Sequence, residues 1–186
     1  VTQFVSFLPD GRHVISTGRS AVRIWDVETG EVVRQIKVAG ASALSADGAG
    51  LAVAVRGELH LFDPATGELI RKTESKPKGV VRVVAFSPDG RWLASAGDAR
   101  IVQLWRVASG KLERNLTGHT KSVRAVTFSP DSSAVISGGY DRSVRVWKCD
   151  DGKEARAPIT IPIEPWSLSC SRAGRYLLSA GQSSDS

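Results

Sequence analysis

Methionine is absent from the 186 residues, cysteine occurs twice and histidine three times. Each scarcity closes off a class of protein. With no methionine and a valine in first place, the chain is expected to begin downstream of the natural start. Cys149 and Cys170 are too few to staple a disulfide scaffold. They read as small apolar strand residues and favour a reducing, intracellular compartment. His13, His60 and His119 stand at no metal-ligand spacing, and none has a Cys, Asp or Glu at a motif offset, so neither a metal nor a cofactor is expected. No apolar run approaches the roughly 18 residues of a membrane span; stretches such as LAVAV at 51–55 are strand-sized. No secretory signal pattern opens the chain. No segment carries a helical apolar period long enough for a helix. G-x-S-x-G, GxGxxG and phosphate loops are missing too, so no catalytic constellation is found and the chain is not read as an enzyme.

What is present is repetition. FLPDG at 7–11, LSADG at 44–48, FSPDG at 86–90, FSPDS at 128–132 and CSRAG at 170–174 step along the chain by 37, 42, 42 and 42 residues. A second landmark keeps the same beat. Trp25, Phe62, Trp105 and Trp147 lie 37, 43 and 42 apart, and each is followed five residues later by a glycine: Gly30, Gly67, Gly110 and Gly152. Two landmarks with one period of this length define a stacked array or a propeller.

One period, read physically, holds four short strands. VVRVVAF at 80–86 is rich in β-branched residues; Asp89-Gly90 suits a tight hairpin; WLASA, a Gly-Asp turn, IVQLW, a Ser-Gly turn and KLERNL follow. ESKPKG at 74–79 and APITIPIEP at 157–165 are the irregular patches, and both fall between repeats.

The chain resembles the WD-repeat β-propeller family. The fourth repeat carries Gly118-His119 ahead of its first strand, then FSP at 128–130, Ser137, Asp141 and VRVW at 144–147; the first repeat carries Trp25-Asp26. The resemblance implies a buried hydrogen-bonded chain of His119, Ser137, Asp141 and Trp147 with a structural role. Other repeats depart from the pattern. The third has Pro77 and Ala99 in place of the His and Asp but keeps Ser95 and Trp105. The second has Phe62 for Trp, with Arg56-Gly57 and no Asp. The first keeps Trp25 with a shortened turn around Arg19.

The expected fold is all-β: a β-propeller of four-stranded antiparallel blades, with an incomplete ring in this chain. The expected blades run 1–39, 40–78, 79–121 and 122–163, with a partial one at 164–186. Rings of this kind need about 4–8 blades, and seven at a period of about 42 would take roughly 290 residues. The missing blades are therefore expected from elsewhere in a longer propeller, or from a second copy in a homo-oligomer.

Three functions compete. Catalysis lacks its residues. Nucleic-acid binding is permitted by a net charge of +6, but the arginines are spread singly and RKTESKPK at 71–78 is interrupted by Glu74. The preferred reading is a protein-interaction scaffold binding a protein or peptide, with no membrane partner. In the family, partners dock on the face holding the loops before each first strand and after each second. The matching positions are Gln3, Gly40, Arg82, Arg124 and Trp166, with Asp98 and Tyr140 on neighbouring turns. If the arginines are used, the partner is acidic or phosphorylated. The alternatives stay open: Trp166 and Tyr140 as plugs of their blades, Arg82 and Arg124 as solvated charges.

Overall fold

In this computed structural model, residues 4–18, 20–74 and 76–183 are described. Among them the chain forms strands and turns and no helix. The first sheet holds β1 (Phe4–Phe7), β2 (His13–Thr17), β3 (Val22–Asp26) and β4 (Val32–Ile36). The second holds β5 (Ser42–Leu44), β6 (Leu51–Val55), β7 (Glu58–Phe62) and β8 (Leu69–Lys72). The third holds β9 (Val81–Phe86), β10 (Trp92–Gly97), β11 (Ile101–Arg106) and β12 (Leu112–Thr117). The fourth holds β13 (Val123–Phe128), β14 (Ala134–Gly139), β15 (Ser143–Lys148) and the two-residue β16 (Ile159–Thr160). A fifth, two-stranded sheet pairs β17 (Ile163–Cys170) with β18 (Leu177–Ser183). Within each sheet, every neighbour in sequence is an antiparallel neighbour in space. The result is a row of up-and-down blades in an incomplete propeller, without ring closure.

The repeated turn has a physical explanation. Between β9 and β10, the Gly90 amide closes the turn on the Ser87 carbonyl at 2.9 Å. The Ser87 hydroxyl donates to Asp89 and accepts from the Trp92 amide at 2.9 Å. Ser45 with Asp47 and Ser129 with Asp131 repeat this arrangement. The closing position needs positive φ, which glycine supplies at no steric cost. Gly48 sits at +70° and Gly90 at +69°; Ser132 takes +62° in the one turn that ends in serine. The local sequence thus satisfies its own backbone and sets the register of each first hairpin.

Period-two alternation along the strands gives each blade two apolar faces, and the core lies between blades. Ile15, Ile24 and Ile36 of the first meet Leu51, Val53 and Phe62 of the second. Ala52 and Leu59 of the second meet Val84, Leu93 and Trp105 of the third. Ala94, Val102, Leu104 and Leu116 of the third meet Phe128, Val135 and Trp147 of the fourth. The half-blade is held by Leu168 against Ala125, Ile136 and Val144. Burial of each large side chain stabilises by roughly 1.5–3 kcal/mol, so the blade joints are the main source of stability.

Candidate functional site: the mouth of the blade row

The first strands β1, β5, β9, β13 and β17 line a concavity of about 970 Å3. Arg82, Arg124, Tyr140 and Trp166 stand on its wall. Three of these are placed by one repeated device. In β9 the pairing register passes from Val81 to Val83 and skips Arg82; in β13 it skips Arg124; in β17 it skips Trp166. Each skipped residue is the extra member of a β-bulge, which leaves the ladder and is re-aimed. Arg82 lies in the strand that the sequence reading placed at 80–86; Arg124 and Trp166, matched to the loops before the first strands, lie inside β13 and β17.

The opposing residue in each bulge is small. A Cβ on Gly97 would stand 1.9 Å from the Val80 carbonyl oxygen, and one on Gly181 would stand 2.0 Å from that of Glu164. In the second blade the glycine lies on the other side of the pair: a Cβ on Gly40 would stand 1.8 Å from the Ala54 carbonyl oxygen. Glycine at this spot in successive repeats is the sequence signal for the bulges. Gln3 lies outside the described residues.

The electrostatics of the mouth are uneven. Arg82 is already engaged, with Nη2 at 2.7 Å from Asp98 Oδ2 and Nε at 3.1 Å from both carboxylate oxygens. Asp98 also accepts from the Ser122 hydroxyl of the next blade at 2.9 Å, a cross-blade contact that sequence reasoning missed. These hydrogen bonds, Arg82 first, hold the Asp98 carboxyl below its ordinary range. Arg124 differs. Its guanidinium carbon lies 4.6 Å from the centre of the Tyr140 ring, and its Nε is buried without a partner. Trp166 is 56% exposed and so does not plug its blade.

Beneath the rim of the fourth blade runs a polar chain. The Trp147 indole N–H donates to the Ser137 hydroxyl at 2.8 Å, and His119 Nε2 lies 2.8 Å from the same oxygen. His119 Nδ1 is 2.9 Å from Asp141 Oδ2, which also accepts the Thr120 amide at 2.8 Å. Ser143 donates to Asp141 through its hydroxyl at 2.8 Å and its amide at 3.1 Å. The His119 side chain is fully buried. Burial pushes its pKa down, outweighing the opposite pull of the Asp141 charge.

The blades that lack members of this chain lose them in compatible sets. The third keeps Trp105 donating to Ser95 at 2.9 Å. Its Gln103 carbonyl accepts the Lys78 amide at 2.6 Å, as Asp141 accepts that of Thr120. In the second blade Phe62 replaces the tryptophan and Val53 stands where the serine would, so donor and acceptor vanish together and nothing polar is stranded. The first pairs Trp25 with Ser16 at 2.7 Å.

Cys149 is buried and its thiol is pushed up to about 11, chiefly by burial, while Cys170 is only half-buried; both are free. Among the described residues no group of three or more His, Cys, Asp or Glu could hold a metal ion, and no helix is long and apolar enough to cross a membrane.

With this geometry in view, two stretches match the family model "WD domain, G-beta repeat": residues 67–106 and 110–148. Each runs from the outer strand of one blade through the three inner strands of the next, so the sequence unit straddles a blade joint. The two matched stretches are WD repeats of that family. The chain is similar to Nuclear distribution protein nudF of Emericella nidulans, 33% identical over 63 residues, covering 34% of this chain and 14% of that protein. It is also similar to the Notchless protein homolog of Arabidopsis thaliana, 33% identical over 61 residues, covering 33% of this chain and 13% of that protein. The matches therefore span only a small part of those relatives. WD repeats generally mediate protein–protein interaction.

Proposed function

We propose that the chain is a non-catalytic interaction scaffold whose mouth holds an acidic or phosphorylated segment of a protein partner. Arg124 receives the anion, and Tyr140 and Trp166 flank it. The observation that carries this reading is the state of Arg124: its buried Nε has no hydrogen-bond partner among the described residues, while it lines an open concavity with its charge over an aromatic ring. A guanidinium presents a planar fork that suits carboxylate and phosphate. Arg82 has a lesser part, because Asp98 occupies it.

The nucleic-acid reading finds less support. Many of the arginines that give the chain its positive charge are occupied within the fold: Arg12 by Asp26, Arg91 by Asp89, Arg145 by Glu154, and Arg34 and Arg114 by backbone carbonyls. The two free cysteines fit a reducing, intracellular setting.

The test is an array of acidic, phosphoserine and neutral peptides probed with the parent chain and with Arg124→Glu and Arg124→Lys. Acidic or phosphorylated peptides should bind the parent, weakly bind the lysine form and fail with the glutamate form. Equal binding of neutral peptides would sink the proposal.

A further inference from the structure

One position at the start of the second strand faces the following blade in every repeat. It is His13 in the first blade, Gly50 in the second, Trp92 in the third and Ala134 in the fourth. In the third blade the Trp92 indole fills the joint. It is 6% exposed and shares a core cluster with Leu104 and with Cys149 of the fourth blade. The Arg106 guanidinium carbon caps it, 3.7 Å from the ring centroid.

In the joint between the first and second blades the same place is a cavity of about 260 Å3. Leu8, His13, Ile24 and Val33 line it from the first blade, and Pro64 and Ala65 from the second. Its walls answer to those of the filled joint, and where they differ the empty one is the more apolar. Ile24 stands for Leu104, Leu8 for Ser87, Val33 for Glu113 and Pro64 for Cys149. Arg34, also on the wall, donates to the Thr66 carbonyl at 2.7 Å, as Arg114 donates to the Asp150 carbonyl at 2.8 Å. It is therefore placed like an arginine that coexists with the Trp92 ring.

Two exchanges leave the place open. The smaller His13 ring is held by Asp10, with Nδ1 at 2.7 Å from Oδ2. Asp26 replaces Arg106 and is engaged by Arg12 Nε at 2.8 Å, so the cation that caps Trp92 has no counterpart. The lip carries an acceptor. Asp10 lines the cavity with its side chain 48% exposed. The hydrogen bond from the His13 ring, then those of the His13 and Arg12 amides, hold its carboxyl down at about 2, so it stays ionised. Beside the lip runs β4, the edge strand of its sheet, which supplies Val33 and Arg34. Val33 is 50% exposed.

We propose that this cavity receives a tryptophan side chain from an extended segment of a protein partner. The indole takes the place that Trp92 fills two blades on, and its N–H donates to the Asp10 carboxylate. The segment's backbone runs along the open edge of β4, where unpaired strand groups accept an added strand. The site lies at the end of the blades opposite Arg124 and Tyr140 and does not rest on the reading of the mouth: it is built on the β1–β2 and β3–β4 side, whereas Tyr140 follows a second strand.

Two probes carrying 5-fluorotryptophan test this by fluorine NMR titration of the full chain: the blocked pentapeptide Thr-Thr-Trp-Thr-Thr and the blocked single amino acid. The pentapeptide should give a saturable shift and bind several-fold more tightly than the single residue. His13→Trp should fill the cavity from within, abolish the shift and raise the thermal midpoint. Val33→Gln should weaken binding several-fold. Ile70→Gln, at the same outer-strand position of the second blade and 51% exposed, should leave it unchanged, as should Arg124→Glu. Should His13→Trp fail to fold, the contrast between Val33→Gln and Ile70→Gln decides. No saturable shift with the parent, a shift that survives in a folded His13→Trp chain, or equal weakening by Val33→Gln and Ile70→Gln overturns the proposal. Equal affinity for the two probes overturns the assignment to a partner segment and gives the cavity to a free aromatic molecule.

Discussion

Asp141→Ala removes the acceptor on which the fourth blade's polar chain ends. The carboxylate receives His119, the Thr120 amide and two donors from Ser143. The bond to His119 matters most, since that ring is fully sealed from water. A buried donor left without a partner costs about 1–3 kcal/mol. The Thr120 and Ser143 groups sit nearer solvent and recover part of their loss, so the expected cost is about 2–3 kcal/mol. Mutating His119 to Ala as well removes the stranded donor, so the double variant should cost clearly less than the sum of the two singles. The third blade already shows the paired solution, with Ala99 and a buried Pro77 in place of the two residues. Urea unfolding followed by tryptophan fluorescence and by far-UV circular dichroism measures the cost. Two probes are needed because repeat arrays can unfold blade by blade. An Asp141→Ala chain with the parent midpoint, or singles that add fully in the double variant, would falsify the reasoning.

The other predictions concern the joints and the pH response. Arg114→Ala should destabilise by about 1 kcal/mol through loss of its cross-blade bond, whereas Arg156→Ala, an exposed residue with no partner among the described ones, should leave the urea midpoint unchanged. Leu104→Ala, at a fully buried joint position, should cost about 2–5 kcal/mol in the same assay. The folded-state pKa of His119 lies below its ordinary 6.5, so its stabilising contribution is complete above that pH and is lost as pH falls through the range below it. Asp141, also depressed, adds a second loss below about 3.8. His119→Gln should flatten the first decline in a series of denaturation midpoints from pH 8 to pH 5.

The strand order was legible because its signals are local. In the second and third blades a serine, an aspartate and a glycine in one pentapeptide close the first hairpin with their own hydrogen bonds, and the tryptophan–glycine interval marks the third strand and the turn after it. The members of the polar chain were legible from the match of His119, Ser137, Asp141 and Trp147 to the family's pattern. The substitutes were not. Gln103, inside β11, does what the turn residue Asp141 does in the fourth blade, and nothing in its sequence position marks it as an acceptor for the Lys78 amide. The mouth was half legible. Its residues could be chosen by matching repeats, but the bulges that aim them depend on pairing between two strands. Whether an arginine is free depends on partners as distant as Asp98, 16 residues on from Arg82. Arg82 and Arg124 look equivalent in sequence, and only the three-dimensional arrangement separates the occupied one from the open one.

Asp98 sits where its charge offsets that of the mouth's arginines. It neutralises Arg82, holds Ser122 across the joint, and contributes its field to Arg124. Both members of the Arg82–Asp98 pair are more than a third exposed, so the pair adds little to stability, within about 1 kcal/mol after solvent screening. Its effect on a ligand is larger in kind. Asp98→Asn keeps the side chain's shape and an acceptor for Ser122, removes one negative charge from the rim and releases the Arg82 fork. An acidic or phosphorylated peptide should then bind more tightly, by several-fold at low salt. The gain should shrink as ionic strength rises and the Debye length falls to about 8 Å near 0.15 M. Adding Arg82→Gln to Asp98→Asn should cancel most of the gain, because the second fork is gone. Titration calorimetry at two salt concentrations decides the matter. Tighter binding that survives Arg82→Gln would assign the effect to net charge alone. Unchanged or weaker binding by the Asp98→Asn chain would show that the anion does not sit between these arginines.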